Sequence, residues 1–160
     1  MNPEPVVLSA EEISKRVRQF LGNLQESEII YRRLADLGRE QGRVLDAGDP
    51  EELMSVARSK ECEMARLEIV EEAGREIRAS WSAIQESVPE VARQAVREAA
   101  ARVETVLRGL LALEKQQRQS ILEQKEATLE NIRRLEAGRR VQRAYGGGAS
   151  SVSGFLDQRE

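Results

Sequence analysis

No histidine occurs anywhere in the 160-residue sequence. Its absence removes the Ser/His/Asp and Cys/His catalytic arrangements, and with them the commonest zinc ligand. Cysteine occurs once, as Cys62, so no disulfide can form within the chain, which fits a reducing compartment. Aromatic residues make up 3% against 40% for all hydrophobic residues, leaving Leu, Val, Ile and Ala to do the packing. Such a composition suits narrow helix–helix seams better than a thick globular core. No stretch has the apolar length of a membrane span, and the opening MNPEPVVLSAEE has neither the basic nor the apolar region of a signal peptide. A cytoplasmic protein without membrane insertion is expected.

Charge, by contrast, is plentiful: 25 basic and 28 acidic residues give a net charge of -3. Mixed charge at this density suits a surface laced with ion pairs and gives no general attraction to nucleic acid. The carboxylates interleave with Arg and Lys at helical spacing, so surface i,i+4 pairing accounts for them better than acid–base chemistry. The run Gly146-Gly147-Gly148 follows a helical segment and lacks the Lys-Ser/Thr end of a phosphate loop. The expectation is a non-enzymatic protein with no cofactor and no metal.

Proline is confined to positions 3, 5, 50 and 89, at the edges of three long segments. Ser9-Ala10-Glu11-Glu12 reads as a capping box, after which Ile13, Val17, Phe20, Leu24, Tyr31 and Leu34 recur at three- and four-residue steps with one heptad gap. At Ala47-Gly48-Asp49-Pro50-Glu51-Glu52 one helix stops and another starts. Gly48 suits the left-handed C′ position, Asp49 the cap, Pro50 the first turn, and the glutamates the positive end of the dipole. The second stripe uses Leu53, Val56, Met64, Leu67, Val70, Ile77, Trp81 and Ile84, and its drift implies left-handed supercoiling. Trp81 reads as a large filler between Ile77 and Ile84, and Cys62 falls on the outer face. Ser87-Val88-Pro89-Glu90 repeats the stop-and-restart pattern.

The third segment, Pro89 to Tyr145, is built from strong helix formers and would span roughly 80 Å if unbroken. Its stripe Ala92, Val96, Ala99, Val103, Val106, Leu110 and Leu113 is interrupted by the polar run 114–120 and resumes at Ile121, Leu122, Leu129, Ile132 and Leu135. The fold class expected is all-α. It is an antiparallel bundle of three long helices, about 10–47, 50–87 and 89–145, with coiled-coil-like packing. An N-terminal arm covers 1–8, the helical domain 9–145, and a flexible tail 146–160 that includes Phe155 and Leu156. Packed back along the hairpin, the third helix reaches the Gly48 turn near residue 125, leaving about twenty residues without a counterpart. That piece either overruns the bundle or breaks near 114–120 and folds back. In the first case its apolar stripe is unsatisfied and marks a partner site.

Arg133, Arg134, Arg139, Arg140 and Arg143 make a basic helix end. They serve either the C-terminal dipole or an electrostatic contact with an acidic protein surface, and less readily with nucleic acid. Tyr145, directly before the glycine run, either closes the last turn hydrophobically or acts as a binding anchor.

Leu45 through Leu53, with Lys60-Glu61 following, resembles the first hairpin of FlgN-type flagellar export chaperones. So does the close of the chain, in which Gly138-Arg139-Arg140 leads through Arg143-Ala144-Tyr145-Gly146 into a glycine/serine tail reaching Phe155-Leu156-Asp157. Where many members carry two asparagines three apart in the last helix, this chain has Glu114 and Gln117. The resemblance implies a cytosolic chaperone of the flagellar type III export system. Its clients would be hook-associated proteins of the hook–filament junction, whose amphipathic terminal segments need masking before export. It assigns client binding to Ile121, Leu122, Leu129, Ile132 and Leu135. Docking on an export-gate component falls to Tyr145 with Arg139, Arg140 and Arg143. Masking of this kind requires no cofactor and no nucleic acid, and a monomer or weak homodimer suffices. The rival expectations are a structural coiled-coil or adaptor protein self-associating through its stripes, and a related chaperone for another flagellar client.

Overall fold

The computed structural model describes residues 8–146. The arm at 1–7 and the tail beyond Gly146, with Phe155 and Leu156, lie outside the described residues. The fold is all-α, with helices α1 (Ala10–Ala47), α2 (Pro50–Ile84) and α3 (Glu90–Gly146), and a 3₁₀ turn over Gln85–Ser87. Residues up to Gln116 form one compact unit and those from Gln117 onward a second, the division falling inside the polar run at 114–120. α3 is a single helix and carries no break at 114–120.

The helix ends follow from their capping residues. The Ser9 hydroxyl accepts the Glu12 N–H at 3.2 Å, the forward half of the capping box. Gly48 takes the left-handed conformation (φ 73°, ψ 29°), and its N–H reaches back to the Val44 and Leu45 carbonyls at 3.0 and 3.3 Å. One Asp49 carboxylate oxygen accepts the N–H groups of Glu51 and Glu52 at 3.0 and 3.1 Å, with Pro50 in the first turn. The second helix ends three residues earlier than its expected limit of 87. Val88 precedes Pro89 and is extended (φ −85°, ψ 134°), because the proline ring disfavours helical geometry there. The last turn tightens accordingly, with Val88 N–H donating to Gln85 O at 3.2 Å.

Within the first unit the backbones of α1 and α2 approach most closely, as an antiparallel pair. α3 runs parallel to α1, as three clusters stacked down the bundle reveal. At one end Val17, Phe20 and Leu24 meet Val88, Val96 and Ala99, with Trp81 edge-on to Phe20 (centroids 5.1 Å apart, planes at 62°). In the middle Ile30, Leu34 and Ala35 meet Val70 and Leu110, and towards the Gly48 turn Leu37 and Val44 meet Val56. The seven-residue stripe of α3 up to Leu113 faces inward as the periodicity predicts.

Two seam assignments differ from the sequence reading. The apparent gap between Leu24 and Tyr31 is filled: Ser27 is buried, and Ile30 is the most buried large side chain among the described residues, at 0% exposure. In α2 the inward positions step through Lys60, Glu63 and Leu67, which turns Met64 outward to 51% exposure. Cys62 is exposed, as its outer-face position implies.

Polar side chains in the seams tie the helices together. Asn23 Nδ2 donates to the Val70 carbonyl of α2 at 2.7 Å. Gly74 makes room for it, since a Cβ there would sit 2.2 Å from Asn23 Oδ1. Lys60 joins all three helices, its Nζ donating to Gln41 Oε1 at 2.9 Å and to Glu114 Oε1 at 2.7 Å. Glu28 accepts from Arg32 on α1 at 2.8 Å and from Arg102 on α3 at 3.3 Å.

The Arg32 hydrogen bond, and then Arg102, hold the Glu28 carboxyl below the usual carboxylate range against an opposing desolvation effect. A depressed carboxyl pKa stabilises the fold above the unfolded glutamate value of about 4.3, and that contribution is lost as pH falls through the lower, folded value. The wild type is therefore expected to exceed Glu28→Gln in urea midpoint at neutral pH, and the gap should close once Glu28 is protonated. A gap that persists unchanged into acid would show that the glutamate acts by packing alone.

A candidate binding surface on the third helix

From Arg118 to Gly146 every residue of α3 is exposed, although its apolar residues keep the three- and four-residue spacing that is buried in the first unit. Helicity here comes from local terms. The segment is rich in Leu, Glu, Gln, Lys and Arg. Gln119 Nε2 donates to Glu123 Oε1 at 3.1 Å and Arg134 pairs with Glu130 at 3.3 Å, both one turn apart. The Thr128 hydroxyl donates to the Gln124 carbonyl at 2.9 Å.

The five stripe residues expected to bind a client share one face. Ile121, Leu122, Leu129, Ile132 and Leu135 fall within a sector of about 140° at 100° per residue. Their exposures run from 44% at Leu129 to 66% at Leu135, far above the 3–8% of Val96, Ala99 and Leu110 on the same repeat. Covering the exposed half of five such side chains would contribute on the order of 5 kcal/mol. Taken alone that corresponds to a dissociation constant of about 0.2 mM, so the stripe can start a complex but needs other contacts to hold one.

Residues adjacent in sequence separate around this helix. Arg139 and Arg143 prolong the stripe face, with Arg140 at its edge, whereas Tyr145 lies about 150° away. Tyr145 is 84% exposed and shares its face with Val141, one turn earlier and 56% exposed. The sequence reading grouped Tyr145 with the arginines; the helix places them on two surfaces. It also missed that the stripe carries its own cations: Arg118, Lys125 and Arg139 fall on the seven-residue line that passes through Ile132, a spacing visible in the sequence once the stripe is taken as exposed.

Among the described residues no three His, Cys, Asp or Glu side chains gather as a metal would require, and no helix is long and apolar enough to cross a membrane. An apolar recess between Ile13, Val17, Pro89 and Ala92 holds about 240 Å³. Carboxylates pair with arginines along the helix surfaces, as Glu90 does with Arg93 and Arg97, at 2.6 and 2.5 Å. Set against known proteins, the chain matches no family model, no curated protein and no solved structure.

Proposed function

We propose that the protein is a non-enzymatic chaperone that masks amphipathic helices of partner proteins on the exposed stripe of α3. The observation carrying this reading is the contrast along one helix. The same repeat is buried or half-buried up to Leu113 and exposed from Ile121 to Leu135. An apolar stripe on a preformed helix suits helix-in-groove recognition, because a partner helix can lay its own apolar face along it at i, i+3 and i+4 spacing. Reversible masking needs no bound group, only an equilibrium.

The resemblance to FlgN-type chaperones in residues 45–61 and 138–157 supplies the client class. The clients are hook-associated proteins of the flagellar hook–filament junction, held in the cytoplasm until a type III export gate accepts them. Tyr145 is the docking anchor. Its face is separate from the stripe, so a client can stay bound while Tyr145 meets the gate.

Co-expression with the host's hook-associated proteins, followed by purification on a tag on this chain, tests the reading. A soluble one-to-one complex is expected, with Tyr145→Ala lowering client secretion and leaving the complex intact. Recovery of the chain without any of these proteins would reject the client assignment, and loss of the complex in Tyr145→Ala would place the tyrosine within the client surface.

A further inference from the structure

The charges around the α3 stripe are sorted, and the sorting bears on what can occupy it. At 100° per residue, Lys125 and Arg139 fall within the apolar sector itself, flanking Ile132 at seven-residue spacing, and Arg118 and Arg143 lie close to the same line. All four are exposed, and among the described residues none has an ion-pair partner. Of the four acids in this segment, Glu123 and Glu130 lie on the far side, Glu130 already engaged by Arg134, whereas Glu126 borders the stripe beside Leu122 and Leu129 and Glu136 shares its face. From Arg118 to Gly146 the chain carries seven basic and four acidic residues, and the excess of positive charge sits where the helix is apolar.

We infer that the stripe selects an amphipathic helix whose apolar face is flanked by Asp and Glu, and that it disfavours a second copy of itself. This inference rests on the masking function proposed above and names the chemistry of the masked helix. Apolar burial alone supports only weak binding, so the partner's flanks decide affinity and, more strongly, choice of partner. Carboxylates beside a Leu/Ile ridge would sit opposite Lys125 and Arg139 and satisfy cations that docking would otherwise strip of water. Two copies joined stripe to stripe fare worse in either orientation. Centred on Ile132, an antiparallel pair sets Lys125 against Arg139, and a parallel pair sets each cation against itself. A membrane surface is a poorer fit too. Interfacial helices keep cations on the polar face and an unbroken apolar face with aromatics, whereas here cations interrupt the apolar face and acids fill the polar one. A nucleic acid would leave Ile121, Leu129 and Leu135 unused.

The test uses the full-length protein and three synthetic helical peptides with one Leu/Ile face and flanks of Glu, Gln or Lys, followed by fluorescence anisotropy at low and high salt. The Glu-flanked peptide should bind at least about tenfold tighter than the Gln-flanked one, the Lys-flanked peptide most weakly, and the ranking should flatten at high salt. In the double variant Lys125→Glu/Arg139→Glu, both sites being exposed, the order should reverse. Equal binding of all three peptides would overturn the charge selection and leave masking by an apolar stripe standing. Failure of all three to bind would overturn both. A dimer in sedimentation that Leu129→Ser dissolves would make the second copy the occupant and overturn the inference. So would capture by phosphatidylserine vesicles or single-stranded RNA that competes off the Glu-flanked peptide.

Discussion

Ile30→Ala is expected to lower the stability of the helical bundle by about 3 kcal/mol, the middle of the range for truncating a fully buried isoleucine. Ile30 has no exposed surface and sits where α1, α2 and α3 meet, against Leu34, Val70 and Leu110. Removing three carbons there forfeits their transfer free energy and leaves a hole that three long helices cannot close without shifting register. A domain of this size has about 5–15 kcal/mol in total, so the loss should be plain as a lower urea midpoint with unchanged slope. Ile29→Ala supplies the control, since Ile29 is 51% exposed and its truncation should cost under about 0.5 kcal/mol. Equal effects at the two positions would mean that α1 packs with a face other than that of Ile30.

That neighbouring isoleucines should differ so much was not readable from the apolar pattern. After Leu24 the next apolar letters are the run Ile29-Ile30-Tyr31, and the repeat read from Leu24 to Tyr31 passes over Ile30. The missing layer is Ser27, small enough to fit a tight seam, followed by Ile30 three residues on, and a search for apolar repeats skips the serine and loses the register. The same blindness misplaced Met64. Lys60 and Glu63 hold the inward positions because long charged side chains can lie along a seam and end at partners, as Lys60 does at Gln41 and Glu114. What was legible rests on local chemistry. Ser9, Gly48, Asp49 and Pro50 each satisfy or omit a particular backbone group, and those requirements do not depend on tertiary contacts. The stripe from Ile121 to Leu135 was legible as a pattern too, but its exposure was not. Whether a stripe is covered depends on the lengths of the other helices and on the route of α3, which was open between a straight helix and a fold-back.

The triple change Leu129→Ser, Ile132→Ser and Leu135→Ser should weaken binding of the proposed amphipathic client segments by about a hundredfold while leaving the bundle intact. Each of the three side chains has roughly half its surface available to a partner, worth on the order of 1 kcal/mol when covered. Three together approach 3 kcal/mol, which is about two decades in the dissociation constant. Stability should barely respond, because all three residues lie beyond Gln116 and none belongs to the clusters that hold α1, α2 and α3 together. Serine costs about 0.5 kcal/mol of helix propensity at each site, so local fraying of α3 must be separated from loss of contact. Circular dichroism of the variant, and a matched triple change to Ala, make that separation, since alanine removes the apolar contact while strengthening the helix. Loss of binding in both triples at preserved helicity would assign the client surface to these side chains. Loss in the serine variant alone would point to helix order, and undiminished binding in both would move the client site off α3 altogether.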